Sequence, residues 1–546
     1  MDKWIRLCLL IIVLPTLAEW SGLVMAATPQ VAGGRGFTLA LNANGELRSW
    51  GSNYFGELGD GTLLQRAQPQ VIGTGYSQIR ASGASVFALK EDGSLWAWGS
   101  NLNGQLGVGS DDYDLAVPAL IGSSFKEVAV GFACHFGIKT DQTLWGWGSN
   151  ANGELGDGGN ANRSSPVQIG TDFIAVVSGS GENTADNPII CYTLALKRNG
   201  DLWSWGANAH GQVGDGTTSP RNTPTLIGSG FREIKVGGNA SYGIKQDGTL
   251  WSWGANNFGQ LGDGSTTQRN TPGLVATDVQ SLFPVGASVF AIKTDGSLWA
   301  WGNNAQGQLG DGSTEMRTMP VRIGQGFTHI ARLTDWSVYG LKADGGLWAW
   351  GSNTAGEFGD GTTTSYSLPT RIGTGFHTIA GLPGWTGSYT IAMKTDGSLW
   401  GWGDNTSGNL GDGSTDWRLT PVAILTEGFV LSGKTAAPDD PAPPLDSAAA
   451  FDGATGMLDL PRVELGDAAY RVKLQLVDAE LLSLRVTTVD VAVQGHDANT
   501  VTVDGDMNVT IPRLRLEDQS YWFMLRLINA GNLTFQVAGF GVLAVE

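Results

Sequence analysis

The chain has 546 residues, a formal charge of −18 and a pI near 4.7. That balance disfavours nucleic acid and anionic membrane surfaces as partners. Only 15 % of residues are charged while 81 are glycine, a composition that fits tight β turns better than long solvated helices.

Residues 1–26 have the character of a secretory signal. Lys3 and Arg6 precede an apolar stretch from Leu7 to Leu17, and Val24-Met25-Ala26 offers a small-residue cleavage site. Cleavage there starts the mature chain at Ala27 and places the protein in the periplasm, at the cell surface or outside the cell. The competing reading is an uncleaved anchor. No other segment is apolar enough to span a bilayer.

From there the sequence repeats. A second tryptophan marks each of eight copies: Trp50, Trp98, Trp147, Trp205, Trp253, Trp301, Trp350 and Trp402, spaced by 48 to 58 residues. A fixed period of this size means an array of one supersecondary unit. In the copy around Trp98, Tyr76 to Ala81 and Val86 to Lys90 are short strands, and Glu91-Asp92-Gly93 is a turn. Ser94 to Gly99 is a third strand, and a glycine-rich loop leads to a fourth at Pro118 to Ile121. No stretch of the array carries a sustained 3.6-residue period. Trp96 and Trp98 stand two apart and share one face, with Leu95 and Ala97 on the other. Core packing is the first reading of the tryptophans, and an aromatic ligand platform the second.

Four-stranded units repeated radially make a β-propeller. The unit Asp-Gly-Thr-Leu-Trp-Ser-Trp-Gly-Ala-Asn-Asn-Phe-Gly-Gln-Leu-Gly at Asp247 to Gly262 resembles the repeat of the regulator of chromosome condensation family. The resemblance covers about three quarters of the chain, residues 28–433. It implies a propeller, in that family usually of seven blades, with protein partners on one face: a small GTPase in the nucleus, β-lactamases for an exported bacterial relative. Eight motif copies favour eight blades here, with seven as the other count. The signal segment and acidic balance argue against the nuclear role.

Strand direction alternates within a unit, so the first-to-second and third-to-fourth connections share one face of the ring. The opposite face carries only short turns. The span from the first strand's apolar anchor to the lysine ending the second is the same in repeats two, three, five and six. It is longer in repeats seven, eight and, most of all, four. The longer connections supply Asp186 and Asn187 in repeat four, Asp335 and Trp336 in repeat seven and Trp385 in repeat eight. Tyr113, Tyr366 and Trp417 come from third-to-fourth connections. Loops on a rigid scaffold carry function, and tryptophan and tyrosine anchor interfaces. Asp186, Asn187, Asp335, Trp336, Trp385 and Trp417 are therefore the candidate binding residues; the bland reading folds these side chains back onto their own loops.

Once the leader is removed two cysteines remain, Cys134 and Cys191, in comparable strands of neighbouring repeats and offset by one position. They read as a disulfide or as two buried thiols. The five histidines are scattered without ligand spacing, so no metal is expected. Leu-Gly-Asp-Gly lacks the alternating carboxylates of a calcium loop and reads as a turn. Gly428 to Thr435 matches the phosphate-loop pattern, but the Pro-rich run after it cannot open a helix. Its expected use is to pair with the segment near Val31 and close the ring. No cofactor is expected.

The domains read as a propeller over 27–434, a Pro/Ala/Asp linker over 435–450 and a small β-sandwich over 451–546. The last is internally duplicated: Leu460 to Leu465 matches Ile511 to Leu516, and Tyr470 matches Tyr521. The functional expectation is an exported, non-catalytic all-β scaffold that binds a protein or glycan through its long-loop face. The alternatives are a carbohydrate-active or cell-wall enzyme using paired carboxylates, a guanine-nucleotide exchange regulator as the family name implies, and a purely structural surface component.

Overall fold

A computed structural model describes residues 28–425 except 103, 111–113, 181–190, 333–335 and 384–386, together with the strands lying between 449 and 542. The chain divides into two compact units, one of them 26–435.

The first unit is eight consecutive four-stranded antiparallel sheets, each built from contiguous sequence in simple order. Blades 1 to 8 occupy 30–73, 76–122, 125–170, 173–228, 231–276, 279–325, 327–373 and 376–425. Blade 5 shows the pattern: strands Phe231–Gly237, Ala240–Lys245, Leu250–Gly254 and Arg269–Ala276. First strands meet their counterparts in the next blade, and the first strand of blade 8 meets that of blade 1. They surround the centre of a closed ring. The eight-bladed count is settled by this closure.

Burial follows the strand order. Second strands are buried on both faces, whereas fourth strands alternate between half-buried and exposed positions. All eight second tryptophans are fully buried. The first tryptophan of each pair is half-buried, and the lysine ending the second strand lies over its ring, as Lys245 does over Trp251 at 4.6 Å. Its indole N–H donates to the hydroxyl that opens the third strand: Trp96 to Ser94, Trp251 to Thr249, Trp400 to Ser398. In blades 4 and 7, Asp201 and Gly346 stand at that position, and the Trp203 and Trp348 indole nitrogens have no partner.

Outer strands are edges, which invite pairing with other chains. Each fourth strand carries a proline at the same register, from Pro69 and Pro118 to Pro369 and Pro421. A proline cannot donate to a ladder, so the motif that starts each outer strand also blunts it.

The expectation that Gly428 to Thr435 pairs near Val31 concerns residues outside the described ones, and the described strands already form a closed ring. Val31 pairs with Ala40 inside blade 1, whose four strands are complete.

In the second unit, strands Met457–Leu465, Ala468–Asp478 and Ser483–Val491 recur as Asn508–Leu516, Gln519–Asn529 and Thr534–Val542. The duplication read from the sequence is therefore a duplication of topology. The eight described strands of this unit join one sheet, and Ala449–Asp452 at one end of the strand order pairs in addition, in parallel, with Asn508–Leu516 next to the other end. The two-layer packing of a sandwich depends on side chains outside the described residues.

Candidate functional site

The face that carries the long connections is built on one repeated loop, Asn-x-x-Gly-Gln-Leu-Gly-Asp-Gly. In blade 6, Asn304 is buried and its side-chain amide donates to Asp311 Oδ1 at 3.1 Å and to the carbonyls of Ser313 and Glu315 at 3.1 and 3.0 Å. Its Oδ1 accepts the Leu309 amide at 2.9 Å. Arg317 donates to Asp311 Oδ2 at 2.6 Å. Burial pushes the Asp311 carboxyl up, but hydrogen bonds from Ser313 and Arg317 outweigh it and hold it below the ordinary aspartate range. The aspartate of Leu-Gly-Asp-Gly is thus half of a clamp, repeated as Asp60–Arg66, Asp157–Arg163 and Asp412–Arg418.

The two glycines of this motif join the blades. Gly262 has φ +71°, and a Cβ on it would stand 2.8 Å from the Trp301 indole nitrogen of the next blade. Only glycine lets the backbone lie against that ring. Two residues on, the Gly264 amide donates to Thr318 O in the next blade at 2.9 Å. The carbonyl of Gln260 accepts the Trp301 indole N–H at 3.0 Å. The same contacts join blade 8 to blade 1: Gly411 against Trp50, Gly413 N–H to Ala67 O, and the Trp50 indole to Asn409 O.

One seam departs. His135 in blade 3 stands where Thr38, Thr193 and Ser241 donate a hydroxyl to the carbonyl beside the indole. Its ring is fully buried, 4.6 Å from Phe87 and 6.4 Å from Trp147, centroid to centroid. Neither ring nitrogen of His135 has a hydrogen-bond partner, nor does the Trp147 indole nitrogen. Burial holds the His135 imidazolium pKa down to about 3.

On this rigid base the surface is uneven. Large exposed apolar side chains fall in two places. One set lies along the outer strands, and the other in connections of this face: Tyr54, Leu63 and Leu64 in blade 1, Leu102 in blade 2, Phe132 in blade 3, Phe258 in blade 5, Met316 in blade 6, Trp336 in blade 7 and Trp417 in blade 8. Among the described residues none falls in the short turns of the opposite face. Of the residues expected from the sequence, Trp336 is 44 % exposed and Trp417 39 %. The Trp417 ring lies over Gly387, where an added Cβ would meet it at 3.1 Å. Asp186, Asn187, Asp335, Trp385 and Tyr113 lie outside the described residues. Tyr366 belongs to the scaffold: it takes the place of the clamp arginine, donates to Asp360 Oδ2 at 2.6 Å and stacks on Phe358.

Sequence reasoning passed over Tyr54, Leu102, Phe132 and Phe258. The signal was available by comparing copies, since the tip positions after the repeated asparagine read Ala-Asn, Ala-His and Ala-Gln in blades 3, 4 and 6 but Tyr-Phe in blade 1. Among the described residues no group of three or more histidine, cysteine, aspartate or glutamate side chains gathers to hold a metal ion. Cys134 and Cys191 are both buried.

The model of the Regulator of chromosome condensation (RCC1) repeat matches 92–135, 141–185, 199–242, 247–288, 295–333, 344–379 and 396–432. A second model of the same description matches 30–57, 76–105 and 231–260. The chain resembles yeast RCC1 (Prp20), solved bound to Kap60, with 18 % identity and a TM-score of 0.50 over 68 % of this chain and 90 % of that one. Prp20p of Saccharomyces cerevisiae, described with its binding properties to Gsp1p and histones, gives 17 % and 0.49 over 68 % and 92 %. Human WBSCR16 gives 20 % and 0.48 over 61 % and 94 %. With repeat matches spanning more than half of its length and every blade built on the same motif, this chain belongs to the regulator of chromosome condensation repeat family.

Proposed function

We propose that the protein is an exported, non-catalytic scaffold whose propeller binds a protein partner through the face formed by the first-to-second and third-to-fourth connections. The observation that carries this reading is the asymmetry between the two faces. One displays Tyr54, Leu102, Phe132, Phe258, Trp336 and Trp417, while the other displays Asp-Gly turns. Exposed aromatic and leucine side chains on a rigid base lose little conformational freedom on binding and bury much apolar area, which is how interface anchors work. The blade-to-blade contacts of the third-to-fourth connections are made below their tips. That the yeast relative is described with protein ligands sets the class of partner to test first and identifies none for this chain. The leader-like start, read from sequence, supports export.

The test is capture by immobilised full-length protein from the medium and envelope of its own source. It runs beside a Trp336→Ser/Trp417→Ser variant and a control changed on the opposite face, Asp247→Ser. A protein retained by the wild type and the control and lost with the double variant supports the reading. Equal retention by all three moves the site off this face. Retention of a glycan in place of a protein replaces the partner class.

A further inference from the structure

The buried pair Cys134 and Cys191 meets across the seam between blades 3 and 4. Both are fully buried in one core cluster. Cys134 Sγ is 3.0 Å from Ser178 Oγ of blade 4, and the two buried thiols are close enough to shift each other's pKa.

The other blades show what this position does. Cys134 opposes Gly148 in its sheet as Tyr192 opposes Gly206 and Tyr389 opposes Gly403, so the three are equivalent. Tyr192 donates across the next seam to Ala240 O at 2.6 Å, and Tyr389 donates across the closing seam to Phe37 O at 2.6 Å. Where tyrosine occupies this position it latches its blade to the following one. Cysteine is too short to reach that carbonyl. Its sulfur instead meets a second cysteine, placed one residue earlier in the following blade, where blade 3 has Ala133, blade 6 has Ala287 and blade 7 has Trp336. Beyond Cys8 in the leader-like segment, the chain has no other cysteine.

We infer that Cys134 and Cys191 are joined as a disulfide that staples blade 3 to blade 4 when the chain folds in an oxidising compartment. The reaction is thiol–disulfide exchange. Each thiol gives up its proton, the pair gives two electrons to a low-molecular-weight disulfide, an S–S bond forms between the two blades, and the oxidant leaves as two thiols. Because both sulfurs are buried, the bond must form before the seam closes and is shielded from reductant afterwards. The inference is independent of the binding face proposed above.

The experiment refolds the full chain with a glutathione disulfide and thiol mixture, unfolds it without reductant in the presence of an alkylating agent, and maps tryptic peptides. The expected product is peptide 127–139 linked to peptide 164–197, two hydrogens lighter than the separate peptides and unalkylated at both cysteines. Alkylation of both cysteines, a glutathione adduct on either, or a link to Cys8 would overturn it. A second readout uses the folded protein. Dithiothreitol, applied through unfolding, should lower the unfolding temperature of the wild type and leave Cys134→Ala/Cys191→Ala unchanged. An identical response of the two proteins would also overturn it.

Discussion

Trp98 and Trp147 are equivalent, fully buried tryptophans in neighbouring blades, and they differ in one bond. The Trp98 indole donates to Glu57 O at 3.0 Å, while the Trp147 indole has no acceptor. Replacing either with phenylalanine removes the same ring area and leaves a similar void, so those costs cancel in a comparison. What remains is the polar difference. Trp98→Phe strips a buried carbonyl of its donor, and Val86 beside it offers no hydroxyl in its place, which costs about 1–3 kcal/mol. Trp147→Phe removes a buried donor that was already unsatisfied and recovers about 1–3 kcal/mol. Trp98→Phe is therefore expected to be the more destabilising by about 2–6 kcal/mol. Urea unfolding followed by far-ultraviolet circular dichroism measures both. For a propeller of this size a 2 kcal/mol gap also separates the melting temperatures by about 2–3 °C. Equal costs, or a greater cost at Trp147, would refute the reasoning by showing that its indole finds a partner in solution.

Three further outcomes are expected. His135 titrates near 6.5 when unfolded and about 3 when folded, so from pH 6.5 downward the unfolded chain takes a proton that the folded one refuses. Its contribution falls by about 1.4 kcal/mol per pH unit. His135→Val, the residue at this position in blades 2, 6 and 7, should therefore narrow the stability loss between pH 7 and pH 5 by about 2 kcal/mol; parallel pH profiles would count against it. Asn304→Ala removes five hydrogen bonds beneath one loop and should cost about 3–5 kcal/mol, with amide exchange accelerating across 305–315 before the rest of the blade; unchanged exchange there would show that the loop is held otherwise. Gly262→Ala should cost more than 2 kcal/mol, about the price of a forced left-handed alanine together with displacement of the Trp301 ring; a neutral melt would mean that the loop moves freely off that ring.

The scaffold was legible because it repeats. Seven tryptophan pairs and the lone Trp50, the Asp-Gly turns and the Asn-x-x-Gly-Gln-Leu-Gly stretch named the strands, their order and the propeller. The bonds behind that motif were not legible. Nothing in Leu-Gly-Asp-Gly says that its first glycine lies on an indole of the next blade, or that its aspartate waits for an arginine six residues on. That same ignorance made Tyr366 look like a surface anchor, when it occupies the arginine's place in the clamp of blade 7. Trp336 was legible because its connection is lengthened, and Trp417 because a tryptophan in a third-to-fourth connection is itself unusual. Phe132 and Phe258 sit in loops of ordinary length, where exposure depends on the direction of one side chain and length carries no signal.

The closing seam explains why such loops can differ so freely. Blade 8 meets blade 1 through the same three contacts as every other neighbouring pair: a glycine on an indole, an amide on an outer-strand carbonyl, and, at all but the blade 2–3 seam, an indole on a loop carbonyl. Each of these contacts uses the buried, carboxyl-terminal half of the third-to-fourth loop, from the residue before Leu-Gly-Asp-Gly to its last glycine. The tip residues two to three positions earlier enter none of them through their side chains. These three contacts therefore constrain the base of every loop on this face and do not dictate the tip residue, which is Tyr54 in blade 1 and Ala151 in blade 3. An apolar tip such as Leu102 or Phe258 takes no part in these three contacts and exposes apolar area to water. A role outside the ring, on the face where the long connections also lie, accounts for those residues better than the stability of the ring does.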